Sequence, residues 1–218
     1  MTLVEMHTAI KVQLQQVAAE INDDFLSGEI DVYLNRAQLS VVKSRVNQGE
    51  QGSQAEDDIR TLLHEDFLLP LIDKTAFPTG SDYEYLCPYP DDFLSYLGSE
   101  AGLTRSANPT ISSKEYVPCR RIGTGDELER YRVTTFHKPY LREPRILLRD
   151  DFLHLFCDHE TTLVDAKVIF VRKPQELALD ESDSSNNVES ELPEHVHDEI
   201  VETALKLMLR DLNSTPSQ

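Results

Sequence analysis

The chain has 218 residues, with 39 Asp and Glu against 21 Lys and Arg, for a formal net charge of -18. That balance argues against a protein that holds nucleic acid through its phosphates, since such affinity comes from Lys and Arg releasing counterions. A hydrophobic share of 39% with 8 Tyr and 8 Phe is enough to bury a core, so the expectation is a folded chain, not a disordered one.

The opening MTLVEMHTAIKVQ has no basic start and no apolar stretch of the kind a secretory signal carries, and no run approaches the ~18 apolar residues of a membrane span. Thr2 and Glu5 have capping-box spacing. Met6, Ile10, Leu14, Val17 and Ile21 then recur at helical steps, which predicts a first helix ending near Asn22-Asp23-Asp24. A second helix is expected from Ser27 as N-cap, with Glu29 in the first turn and Ile30, Leu34 or Tyr33, Ala37 and Val41 on its apolar face. The short connection makes the two an αα-hairpin.

Asn47 to Ala55 read as a polar loop, and Glu56 to Leu63 as a short helix. His64 to Ile72 read as an extended segment that Pro70 confines to a sheet edge. Phe77 to Gly80 suggest a turn, and Tyr83, Tyr85 and Leu86 a short strand. Asp91 to Leu97 suggest a short helix, and Ser99 to Asn108 a loop. Tyr116 to Ile122 are strand-like but broken by Pro118. A Gly123-Thr124-Gly125-Asp126 turn leads to a short helix over Glu127 to Val133, and Pro139 and Pro144 bracket an extended linker. Arg145 to Leu148, Phe152 to Phe156 and Lys167 to Arg172 are predicted strands, the last of them the most β-branched. Asp180 to Glu191, DESDSSNNVESE, read as a mobile acidic loop or linker. A final helix follows, with Pro193 at its first position and Val196, Ile200, Ala204, Leu207 or Met208, and Leu212 on one face. The order predicts an α+β fold: a helical part over 1–63, a mainly antiparallel β-rich part over 64–175, the acidic loop 180–191 and a C-terminal helix over 192–213.

A search for chemistry gives no catalytic, cofactor-binding or metal-ligating residues. The tetrapeptide DDFL begins at Asp23, Asp91 and Asp150, with EDFL at Glu65. The copies are unequally spaced and fall in unlike predicted contexts, so they read as coincidence in an Asp-rich chain. His195 and His197 are two residues apart, which on a helix points them away from each other and not at a shared metal. Gly123-Thr124-Gly125 lacks the Gly-Lys-Ser/Thr ending of a phosphate loop. Cys87, Cys119 and Cys157 form no Cys-x-x-Cys pair, which fits a reducing compartment and argues against zinc or a disulfide framework. Arg120, Arg121, Arg130, Arg132, Lys138, Arg142, Arg145 and Arg149 concentrate positive charge in one stretch. This stretch either pairs internally with the acidic excess or contacts an acidic neighbour.

The segments EMHTAIKVQLQQVAAEINDDFLSGEIDVYLNRAQLSVVKSR and ELPEHVHDEIVETALKLML resemble the opening helical hairpin and closing helix of structural proteins from crAss-like and related Bacteroidetes phages. The closing helix is more distantly similar to that of podovirus tail-tube adaptors. Between them YPDDFLSYLGSEAGLTR, CRRI, FHKPYLREPR and VIFVRKPQELAL keep the same order of landmarks. The resemblance implies a non-enzymatic virion protein of the head-tail connector, assembled in the host cytoplasm. It would be a subunit of a homo-oligomeric ring, commonly a dodecamer, contacting the portal protein and other neck or tail rings, with DNA passing through the lumen and no cofactor or membrane involved. The acidic charge agrees with a wall along which DNA must not stick. The alternatives are another ring (stopper or hub), an acidic DNA-mimic inhibitor, and an enzyme with a cross-subunit metal site at His195 and His197.

Overall fold

The structure, a computed structural model, describes residues 1–17, 25–48, 53–72, 84–105, 114–123, 143–157 and 161–214. The class is α+β, with helices at both ends of the chain and two mainly antiparallel sheets between them. Two compact units emerge, Met1–Leu63 with Arg172–Gln218, and His64–Val171. The second is thus inserted in sequence between the two parts of the first. No helix among the described residues is long and apolar enough to cross a membrane.

The first unit is helical. It contains α1 (Leu3–Val17), α2 (Ser27–Gln48), α3 (Ser53–Ile59), a 3-10 turn (Arg60–Leu62) and α4 (Glu194–Ser214). At 21 residues, α4 is about 30 Å long. The capping box forms as its spacing predicts: Thr2 N donates to Glu5 Oε2 at 2.8 Å, and Glu5 N to Thr2 Oγ1 at 3.3 Å. Ser27 does not cap α2. Leu26 precedes the helix and donates its N–H to Glu29 Oε2 at 3.1 Å, while the Ser27 hydroxyl donates to Glu181. The predicted apolar stripes are the core: Met6, Ile10 and Leu14 of α1, Ile30, Leu34 and Ala37 of α2, and Val196, Ile200, Ala204 and Met208 of α4 are buried. Both α1 and α2 pack on α4, and α1 does so more closely than it packs on α2. The closing helix is therefore the centrepiece of the helical hairpin. The expected end of the first helix at Asn22-Asp23-Asp24 lies outside the described residues.

The segment joining Arg172 to α4, which includes the acidic loop, is also built onto this unit. Ala178 and Val188 form an isolated antiparallel bridge, and Ser184–Asn186 make a 3-10 turn. Three polar side chains of α2 at helical spacing hold the chain. Asp31 Oδ2 accepts from Leu179 N at 3.1 Å. Asn35 accepts from Leu177 N at 2.7 Å and donates to Leu177 O at 2.9 Å. Gln38 donates to Gln175 O at 3.0 Å and accepts from the Ser190 hydroxyl at 2.9 Å. Asn35 thus meets both backbone groups of a buried residue as a neighbouring strand would, so α2 serves as a polar edge for an extended chain. Asn35→Ala leaves both Leu177 groups without their partner. It is expected to cost about 2 kcal/mol in chemical denaturation and to speed hydrogen exchange at the Leu177 amide.

The second unit holds two four-stranded sheets, whose strands are β1 (Leu63–Leu69), β2 (Glu84–Pro88), β3 (Phe93–Arg105), β4 (Glu115–Pro118), β5 (Arg120–Arg121), β6 (Arg145–Arg149), β7 (Phe152–Phe156) and β8 (Thr161–Arg172). One sheet runs β1-β8-β3-β4 and the other β2-β7-β6-β5. The pairs β2–β7, β3–β4 and β6–β7 are antiparallel, and β5–β6 is parallel. Pro118 divides the predicted Tyr116–Ile122 strand, so β4 and β5 join different sheets. The sheets share one core, to which Ala101, Val168 and Phe170 come from the first and Cys87, Ile146 and Leu155 from the second.

Two sequence expectations fail here. Asp91 to Leu97 are not a helix: Asp91-Asp92 form a turn and β3 starts at Phe93. Phe93, Tyr96 and Leu97 imitate a helical stripe, but pairing along β8 and β4 overrides local preference. Nor is Ser99 to Asn108 a loop as far as it is described, because β3 continues to Arg105. Its small residues have a packing reason. Gly102 sits opposite Tyr116, and a Cβ there would lie 2.7 Å from Lys114 Cε and collide with Asp165. The glycine leaves room for a cross-strand aromatic and its charged neighbours. The expected turn at Phe77–Gly80, helix at Glu127–Val133 and linker between Pro139 and Pro144 fall largely or wholly outside the described residues.

Candidate interaction surfaces

Each sequence-flagged feature has a definite place, except where it lies outside the described residues. His195 and His197 diverge as their spacing requires. His195 is largely exposed, with Nε2 2.6 Å from Asp58 Oδ1. His197 is buried, and its two ring nitrogens face the carbonyl oxygens of Met1 and Leu192, each at 2.8 Å. Among the described residues no three His, Cys, Asp or Glu side chains come together as metal ligands would. Burial pushes the Cys87 thiol up to about 12 and the Cys119 thiol to about 11. Both are therefore thiols near neutral pH, without the depressed pKa of an activated nucleophile.

The described members of the Arg-rich stretch do not form one face. Arg120 and Arg121 are exposed on β5. Arg145, paired with Arg120 in register, is buried and donates to Glu143 at 3.0 Å. Arg149, four residues along β6, stands at the other end of that strand, 3.3 Å from Asp150. At about 3.4 Å per residue that separates the two by ~13 Å. Arg121 also lies over the Tyr96 ring, 5.8 Å from its centroid. Arg130, Arg132, Lys138 and Arg142 lie outside the described residues.

The DDFL copies are the larger surprise. Asp150-Asp151 form the two-residue loop of the β6–β7 hairpin, with Arg149 opposite Phe152. Asp150 adopts φ 52°, a positive value such tight hairpins need and Asp tolerates better than most residues. Asp91-Asp92 form the turn before β3. So these two copies share a context, a turn that opens a strand. The residues just before the Asp91 turn meet the other copy: Pro88 pairs with Phe152, and Tyr89 N donates to Asp151 O at 3.3 Å. Phe67, Pro70, Pro88, Tyr89, Pro90, Asp91 and Asp92 line an open groove of about 350 Å³. The EDFL copy contributes Phe67 to it, and its Asp66 has φ 59° and pairs with Lys167 at 2.8 Å. The first DDFL copy, at Asp23, lies outside the described residues.

On the outer face of the first sheet, Tyr116 has an ammonium on each side. Lys114 and Lys167 each lie 4.5 Å from its ring centroid, and Lys114 also pairs with Asp165. On the outer face of the second sheet, Glu84 and His154 pair at 2.7 Å between β2 and β7. Sequence reasoning missed both clusters, because each depends on strand register.

In the helical unit the acidic loop is organised by its own hydrogen bonds. The Ser182 hydroxyl, the Asn186 amide and the Ser182 and Asp183 N–H groups hold the Asp180 carboxyl down at about 2. Glu189 accepts Leu3 N at the start of α1 at 2.6 Å, a carboxylate at the positive end of a helix. Glu191 forms a two-point ion pair with Arg172 at 2.7 and 2.9 Å. The Arg172 bonds lower the Glu191 carboxyl despite partial burial. These carboxylates are engaged in folding the loop. No protein-family model matches the chain, and no curated protein matches it.

Proposed function

We propose that this chain is a structural subunit of a tailed-bacteriophage virion, one protomer of a ring that connects the portal to the tail and forms part of the DNA passage. The observation that carries the reading is the order of landmarks, a helical hairpin at the start, a β-rich middle and a closing helix. The packing of α1 and α2 on α4 is in keeping with it, since the two ends of the chain build one helical body that could form the ring. The net charge of -18 suits a wall that DNA must slide past. A closed ring needs two different complementary patches on each protomer. Exposed Arg120 and Arg121 on β5 and the carboxylates elsewhere supply opposite charges for such contacts.

The purified protein, alone or with portal assemblies, is expected to form rings in negative-stain images, with a mass near twelve protomers. A strictly monomeric protein that also fails to bind portal assemblies would overturn the reading.

A further inference from the structure

We infer that the groove lined by Phe67, Pro70, Pro88, Tyr89, Pro90, Asp91 and Asp92 is a docking site for an extended, arginine-bearing segment of a partner protein. The groove's volume of about 350 Å³ holds several side chains, within the usual range of ligand clefts. Three of its seven lining residues are prolines, which have carbonyl acceptors but no N–H. Asp91 and Asp92 add acceptors and negative charge. Among the lining side chains only the Tyr89 hydroxyl is a donor. A surface so short of donors favours a ligand that brings them, and a guanidinium brings five in a planar fork.

The floor favours the same ligand. Tyr89 and Phe93 rings lie 4.7 Å apart, and Phe93 stacks on Phe170 at 5.5 Å. The aromatic surface is therefore backed by the core and held rigid. A flat cation gains on such a ring by cation–π attraction as well as by stacking. Tyr89 N donates to Asp151 O at 3.3 Å, which sets the Asp150-Asp151 turn beside the groove, so four Asp residues stand at this end of the unit. The positive groups nearby are Arg149, paired with Asp150, and Arg121, whose charge also reaches Tyr89. Among the described residues, four carboxylates against two guanidiniums leave the end negative. The inference does not depend on the ring.

The test uses the full-length protein and fluorescein-labelled hexa-arginine peptide at ~150 mM salt, where diffuse attraction is screened within about 8 Å. Asp91→Asn/Asp92→Asn is compared with Glu56→Gln/Asp57→Asn, which changes net charge equally at two exposed carboxylates of α3. The groove variant is expected to weaken binding about tenfold and the α3 variant less than about twofold, with hexa-lysine binding more weakly than hexa-arginine. Tyr89→Phe, which keeps the ring, is expected to bind almost as the parent does. Equal weakening by both double variants, or weakening by neither, would overturn the inference and reveal only the overall acidity of the chain.

Discussion

Phe170→Ala is expected to destabilise the β-rich unit by about 3–5 kcal/mol, the usual cost of emptying a large aromatic position in a packed core. Phe170 is fully buried. Phe93 stacks against it at 5.5 Å, Phe67 meets it edge-on at 5.6 Å, and the His64 ring lies 5.3 Å away. It stands on β8, an inner strand between β1 and β3, so its loss is felt on both sides. Phe170→Leu keeps most of the volume and is expected to cost under about 2 kcal/mol. The measurement is denaturant unfolding followed by near-ultraviolet circular dichroism. Tyr85, Tyr89, Tyr96 and Tyr116 all belong to this unit, so loss of packing there is visible in the aromatic signal. An Ala variant as stable as the parent would mean that the aromatic cluster is not the centre of this core.

Much of the fold was legible because periodicity reports burial directly. Met6, Ile10 and Leu14, and later Val196, Ile200 and Ala204, are apolar at helical spacing and are buried in that pattern. The β6, β7 and β8 segments alternate or are β-branched, and they pair as strands. What was not legible is β3. Gly98, Ser99, Ala101 and Gly102 carry little strand preference, and the value of Gly102 appears only when Tyr116 and Asp165 are placed against it. The partners of the acidic loop were not legible for a related reason. Its composition is that of a solvated segment, but Asp31, Asn35 and Gln38 of α2, on the other side of the sequence, supply the partners that fold it.

The surface features divide the same way. Spacing alone separated His195 from His197, because the direction of side chains on a helix follows from geometry. The relation between the DDFL turns could not be read, since it depends on Pro88 meeting Phe152 across β2 and β7. The groove they border is a product of register. The only sequence sign of it was the repetition of the tetrapeptide itself, together with the three prolines that keep the nearby backbone out of regular ladders.

Asp58→Ala is expected to cost about 3–5 kcal/mol, the loss typical of removing one partner from a buried ion pair. Asp58 is buried on α3, with Arg45 Nε of α2 2.7 Å from Oδ2 and His195 Nε2 of α4 2.6 Å from Oδ1. Arg45 also pairs with Glu199 of α4. One carboxylate thus ties three helices, and its removal leaves a guanidinium that is only one-fifth exposed with half of its partners. Burial alone would raise the Asp58 carboxyl, but the bonds from His195 and Arg45 outweigh it and hold it below its ordinary range. A carboxyl lowered in the folded state contributes stability that is present above its unfolded value, near ~4, and is lost as pH falls through the folded value. The parent should therefore lose stability below about pH 4 more steeply than Asp58→Ala, and the two curves should converge in acid. Urea unfolding of both proteins between pH 7 and pH 3 measures it, and a difference that stays constant with pH would show that the Asp58 charge is not what holds α2, α3 and α4 together.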